Sequence, residues 1–535
     1  MLGLIKKTIY LMLIFFIGLF IGSSFFVRAK YNSFIYGDKP IIQNQNLGIF
    51  ILLIVLLILL TIALYKLCLK LNKYNKKIII SVTLLISFVI QIVIIFTFTK
   101  LPEADSKTVL SLALNMLYKN DYSSFQTGGY LYMFPFNFSI VLYLKTLLAI
   151  FPDNYLVIKI FNILFSLVTT LMIYLIYKEI NYNSKENDYG VLVFAATYIP
   201  SLFMSNYIYN DIIATAFLTT AMYFSIKFVK EKSIKYIVIS SILLAIGNYF
   251  RSIGVIVLIA TVIYILLSIK KIGPKKVITS FCILASLFNI PSWSQNAFLQ
   301  SNNIVNESVN NNSAPIYMWL NMGINKDKFG YWDDMKSYNI YQRQGNYNKE
   351  KSTELFKAEL KNKLSNTTFS DLAKMYYNKI IWTWTEGTYQ VETFGIGNGE
   401  SSNSNARMGR VESVYSYTTF ATDLFKGDSK YRSGLIWILY VMNFLMYCFI
   451  FIRLISGIKS KRFDEVFLIL VILGFIGFYI LWEIKSRYIY PIYPLLIVLS
   501  YMGFKDAYDF IVKRNLPQYI SSLRKRLVKY AKNSI

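Results

Sequence analysis

Runs of about 20 apolar residues recur along this chain, and they decide what it can become. A helix needs about 20 such residues to cross the hydrocarbon core of a bilayer. In lipid, every backbone N–H and C=O must be satisfied within the segment, so these runs become helices. The expected fold is an all-α polytopic membrane protein with about twelve transmembrane helices. They are expected at 8–26, 47–69, 78–98, 155–177, 189–205, 212–229, 235–250, 253–269, 277–293, 434–456, 464–482 and 488–504. Composition agrees: 55% of the 535 residues are hydrophobic and 16% are charged, against about 25% charged in soluble domains.

The net charge of +27 does not point to nucleic acid. Lys and Arg fall in short clusters between apolar runs, as in loops retained in the cytoplasm beside an anionic leaflet. Lys70, Lys73, Lys76 and Lys77 put the loop after the second helix inside, so the third helix delivers Thr99–Asn137 to the outside. The run 134–151 carries Pro135, Asn137 and Lys145, poor residues for a lipid-exposed span. It is read as an interfacial helix, which also keeps every later basic cluster inside. The first apolar run follows Lys6 and Lys7 but has no convincing small-residue cleavage site, so it is read as a retained helix. The expected organisation is two extra amino-terminal helices (1–76), a core (77–293) with a catalytic outer loop (99–154), and an extracytoplasmic segment (294–433). Carboxy-terminal helices (434–507) and a basic cytoplasmic tail (508–535), with Lys513, Arg514, Arg524, Lys525 and Arg526, complete it.

The chain has no His. Acid–base chemistry near neutral pH is left to Asp, Glu, Lys or Tyr. Cys68, Cys282 and Cys448 have no metal or disulfide-framework spacing. Candidates then come from the outer turns. Asp105, with Glu103 beside it, stands where the third helix leaves the bilayer. It either caps the helix that follows or serves as a base at the mouth of a membrane cavity. Asp211 opens a helix on the same face, again a cap or a second acid. Two such carboxylates also leave open a shared divalent cation; no cofactor is otherwise implied. Arg251 sits between two apolar helices, either snorkelling to headgroups or clamping a lipid-linked phosphate. Lys485 and Arg487, in WEIKSRYIYPIYP, offer further cations on that face. KIIWTWTEGTYQ presents Trp382, Trp384 and Glu386, an interfacial anchor or a platform for sugar rings. Tyr130, in the aromatic run after Gly128 and Gly129, joins them as a candidate acceptor or sugar contact.

The order of these features, PEADSKTV, GGYLYMFPFN, FPDNYLVIKIFNIL, SNYIYND, FRSIGVIVLIA, APIYMWLNMGIN, KIIWTWTEGTY and EIKSRYIYPIYP, resembles the bacterial GT-C glycosyltransferases of the protein O-mannosyltransferase and aminoarabinose-transferase branch. The resemblance covers about three-quarters of the chain and implies a GT-C-type core. It places Asp105 at the first-loop catalytic acid, Asp211 at the second-loop acid, and Arg251, Lys485 and Arg487 where a donor phosphate binds. The family has a Lys before the Pro of the first loop in some members; here Phe134 precedes Pro135. The implied function is sugar transfer from a polyprenyl-phosphate donor to an acceptor outside the cytoplasm, a glycan, lipid or protein, at a bacterial plasma membrane. Asp105 would be the general base and the anomeric configuration would invert. A flippase for lipid-linked sugars and a non-catalytic envelope-assembly scaffold are the competing readings.

Overall fold

All twelve apolar segments are helical in the computed structural model, which describes residues 2–32, 39–181, 187–397, 414–415 and 417–511. Among the described residues seven helices are long and apolar enough to cross a membrane: Leu2–Ser24, Leu47–Leu71, Lys76–Thr97, Tyr155–Ile180, Asn210–Glu231, Pro274–Ser301 and Lys430–Ser460. Ile234–Phe250, Gly254–Leu267 and Val466–Leu481 are shorter apolar helices packed among them. Local chemistry sets several starts. Asn46, Asn75 and Asn154 each accept a hydrogen bond from a backbone N–H of the first turn, satisfying donors the helix cannot. The Leu47–Leu71 helix is nearly bare of protein contacts, with Ile51, Leu52, Val55, Leu56, Leu59 and Leu60 exposed; that surface suits acyl chains.

The structure departs from the expected pattern at four places. The segment 189–205 is two short helices, Gly190–Ala196 and Ile199–Met204, with Pro200 in the first turn of the second, where its missing N–H costs nothing. The ninth helix does not stop at 293. It continues through Ile290–Ser301, with Pro291 again in a first turn, so the outer segment begins about eight residues later than the boundary drawn at 294. Between the first two helices, where a plain loop was expected, Val27–Asn32 pairs antiparallel with Lys39–Asn44. The aromatic stretch ahead of the run 134–151 is itself helical, and a 104° bend separates Ser123–Met133 from Pro135–Ile150, so the run is one helix that starts at Pro135. Pro135 lacks a backbone N–H and starts a new turn. The tail beyond 511 and residues 33–38 and 182–186 lie outside the described residues.

The interior is unusually aromatic. Tyr10, Phe20, Trp382, Trp384, Tyr389 and Tyr447 are all at most 2% exposed. The Lys430–Ser460 and Tyr493–Asp509 helices pack closely enough that Gly503 lies directly against the Phe449 carbonyl. Small residues permit such approach where lipid supplies no hydrophobic drive. Some charges inside are paired: Arg453 pairs with Glu465 and, at 3.0 Å, with Asp506, and Lys505 pairs with Asp188 at 2.5 Å.

Candidate active site

At one end of the bundle four elements converge: the start of Asp105–Tyr118, the start of Asn210–Glu231, the end of Ile234–Phe250, and the stretch Glu483–Tyr488. Asp105 opens its helix without capping it. Ala104 holds the cap position at φ 50, and the Ser106 hydroxyl accepts from the Glu103 N–H (3.0 Å) and donates to the Glu103 carbonyl (2.7 Å). The Asp105 carboxylate is therefore free of the cap duty its position suggests. The helix N-terminus favours its negative charge. Its side chain keeps 44% exposure. The Tyr130 hydroxyl donates to Asp105 Oδ1 at 3.4 Å, Asn137 Nδ2 donates to the Tyr130 oxygen at 2.8 Å, and the Tyr209 hydroxyl donates to Asn137 Oδ1 at 3.2 Å.

Asp211 is fully buried, and one of its oxygens pairs with Arg251. Arg487 stands between the two aspartates: Nη2 is 3.9 Å from Asp105 Oδ2, and Nη1 is 3.9 Å from Asp211 Oδ2. Both distances exceed hydrogen-bond length. Arg487 is 3% exposed and caged by the rings of Tyr207, Tyr209, Phe394 and Tyr488, each 5.1–5.6 Å from its guanidinium carbon. Cation–π contacts hold the plane of the guanidinium. Among the described residues its Nε and Nη1 nevertheless find no hydrogen-bond partner, and neither do Arg251 Nε and Asp211 Oδ2. Lys485 lies 4.0 Å from Glu483. Burial pushes the Glu483 carboxyl above the usual carboxylate range, with Lys485 opposing.

The structure thus assembles Asp105, Tyr130, Asp211, Arg251, Lys485 and Arg487 from positions nearly 400 residues apart. It leaves the other candidates outside the cluster. Glu103 turns away to pair with Lys100 at 2.5 Å. Trp382 donates to the Lys30 carbonyl (2.8 Å), and Trp384 stacks on Phe20 with centroids 5.7 Å apart. Both indoles are at most 2% exposed, so they tie the amino-terminal helix and hairpin to the bundle rather than offering a platform. Glu386 is 1% exposed and accepts from the Thr388 hydroxyl. The place between Asp105 and Asp211 that a shared divalent cation would need is taken by Arg487. Among the described residues no three His, Cys, Asp or Glu side chains converge as metal ligands. Asn137, noted only as a poor residue for a lipid-exposed span, and Tyr207, Tyr209 and Phe394 were not among the candidate site residues. The alternating Tyr207 and Tyr209 just before Asp211 were the available signal.

A buried amine supports the same wall. Lys379 is fully buried and donates to the Gly323 carbonyl at 2.7 Å. The Gly330 carbonyl in turn accepts from the N–H of Ile484, next to Glu483. Burial pushes the Lys379 ammonium from its ordinary 10.5 down to about 7, with Glu483 opposing. Between those values the unfolded chain binds more protons than the folded one, so stability rises with pH across the window. Thermal unfolding of the protein relative to Lys379→Met should therefore improve from pH 7 to pH 9, by about 1 kcal/mol per unit. A flat difference between the two would show that the buried amine stays protonated across this range.

Residues 138–294 match the family model described as dolichyl-phosphate-mannose-protein mannosyltransferase. The match covers less than a third of the chain. The matched stretch holds Asp211 and Arg251; Asp105, Tyr130, Lys485 and Arg487 lie outside it. No curated protein matches the sequence. Among solved structures the chain is similar to the apo crystal structure of the Archaeoglobus fulgidus oligosaccharyltransferase, at 13% identity and a TM-score of 0.43, over 85% of this chain and 52% of that one. This chain thus spans about half the length of that neighbour.

Proposed function

We propose that this protein is a GT-C-type membrane glycosyltransferase that moves a sugar from a polyprenyl-phosphate donor to an acceptor hydroxyl outside the cytoplasm. The observation that carries the reading is the set of buried, unpaired guanidinium donors at Arg487 and Arg251. A buried N–H⁺ without a partner costs several kcal/mol, and a phosphate oxygen is the acceptor its fork matches. Arg487, Arg251 and Lys485 would hold the donor phosphate. Asp211, with no access to solvent, would orient the two arginines. Asp105, the exposed carboxylate of the group, would take the proton.

In the transfer, the acceptor O–H bond breaks as its oxygen bonds the anomeric carbon, and the proton passes to Asp105. The bond from that carbon to the phosphate oxygen breaks on the opposite face, so configuration inverts. The electron pair leaves with the lipid phosphate, whose growing charge the arginines stabilise. Tyr130 would hold the Asp105 oxygen in line, itself set by Asn137.

The test is transfer from a radiolabelled polyprenyl-phosphate sugar by purified protein. Asp105→Asn should lose about 10²- to 10⁴-fold, the range for removing a general base, while still binding the donor. Full activity in Asp105→Asn would remove it as the base. A protein that moves the labelled lipid across vesicles without transferring its sugar would favour the flippase reading.

A further inference from the structure

Behind Arg487 lies a second polar cluster that the transfer reading does not use. The chain from Glu386 to Glu392 loops back under the stretch that carries Ser486 and Arg487. Tyr389 packs edge-on against Tyr490 at 5.8 Å, and Phe394, two residues beyond Glu392, forms one wall of the Arg487 cage. Both glutamates are buried, at 1% and 4% exposure. The Thr388 side chain stands between them. Its hydroxyl donates to Glu386 Oε1 at 2.6 Å, its N–H donates to Glu386 Oε2 at 3.0 Å, and it also faces Glu392. Ser486 faces Glu386 as well, yet its Oγ closes no hydrogen bond. Both carboxylate oxygens of Glu392 are without a hydrogen-bond partner among the described residues.

Two neighbouring buried carboxylates cannot both stay charged without compensation. Arg432 lies nearby, but its Nη2 donates to the Glu392 backbone carbonyl at 2.7 Å, not to the carboxylate. A proton on Glu392 would remove its charge but would leave a buried O–H donor and an acceptor oxygen unmet. A metal cation answers both oxygens at once. The donors are all oxygen: two carboxylates and the hydroxyls of Thr388 and Ser486. That set suits a hard cation such as Ca²⁺ or Mg²⁺ and matches a charge of +2.

We propose that Glu386 and Glu392, with Thr388 and Ser486, form a buried site for one hard divalent cation beneath the Arg487 stretch. The cation acts structurally. By joining the 386–392 loop to Ser486, it fixes the floor on which Arg487 and its aromatic cage rest. It is separate from Asp105 and Asp211, and its test needs no sugar transfer.

The full-length protein in nanodiscs is stripped with a chelator, then given Ca²⁺, Mg²⁺ or Mn²⁺ alone, and its metal content is measured by mass spectrometry beside its thermal unfolding. One equivalent of metal with a raised unfolding temperature is expected. Glu392→Gln should lose the metal and the thermal gain together, while Asp105→Asn keeps both. If Glu392→Gln does not fold, Ser486→Ala serves, with a loss of about tenfold or more in metal affinity expected. A stripped protein that takes up no metal, or a Glu392→Gln variant that keeps its full equivalent, overturns the site and leaves the pair holding one proton. Loss of metal from Asp105→Asn would place the cation at the outer carboxylates instead.

Discussion

Arg487→Gln is expected to lower transfer about 10³-fold. The residue is the common neighbour of Asp105 and Asp211, at 3.9 Å from each. The loss has two parts. The donor phosphate loses the bidentate, charge-assisted contact that strengthens as it leaves, a contribution of about 3–4 kcal/mol for one preorganised donor group in comparable sites. Asp105 and Asp211 also lose the cation between them, and Asp211 has no solvent to replace it. Arg487→Lys separates the two effects. It keeps the charge but not the fork, so it should recover part of the rate while donor binding stays weak. The measurement is kcat and KM for a polyprenyl-phosphate sugar in parallel with circular dichroism of the purified variants. Wild-type kinetics in a folded Arg487→Gln protein would remove Arg487 from donor binding.

The largest stability effect is expected at Gly503. Replacing a helical glycine by alanine ordinarily stabilises by about 1 kcal/mol. Here the sign reverses. A Cβ on Gly503 would overlap the carbonyl of Phe449 and approach the Arg453 side chain at 3.2 Å. The obstacle is backbone, which cannot rotate away, so the Lys430–Ser460 and Tyr493–Asp509 helices would have to separate. Overpacking of this kind costs about 1–3 kcal/mol, and Gly503→Leu should cost more. Separation would also pull Arg453 away from Asp506, a pair that bridges the same two helices. Gly477 is the control, because a Cβ there meets nothing within 4 Å, and Gly477→Ala should be neutral or slightly stabilising. Thermal unfolding in one detergent, with monodispersity by size exclusion, reads all three. Equal behaviour of Gly503→Ala and Gly477→Ala would show that the helices are not so closely apposed.

Gly503 is also a case that the sequence leaves unreadable. In YPLLIVLSYMGFKDAYD nothing distinguishes a glycine that admits a neighbouring backbone from one that merely faces lipid. Trp382 and Trp384 show the same limit from the other side. Tryptophans near an outer turn fit an interfacial belt, a sugar platform or a packed interior equally well. Only the presence of Phe20, Tyr331 and the Lys30 carbonyl beside them selects the last. Asp105 was marked by its position at the start of a helix, yet that position alone favours a cap. The Ser106 hydroxyl takes up local backbone groups instead, and this leaves the carboxylate for Arg487 and Tyr130.

Apolar run length by itself determined that this chain is a helical membrane protein, because lipid offers the backbone no partner and the helix supplies them all locally. The spacing of Lys and Arg determined where the loops fall, and the absence of histidine narrowed the acids and bases to a few carboxylates. What only the tertiary structure decided is which of those carboxylates meet an arginine and which are spent on packing. That outcome depends on contacts between residues hundreds of positions apart, and a buried charge is tolerated only where such a distant partner arrives. The periodicity of a helix records which face is apolar, and carries no information on which neighbour that face will find.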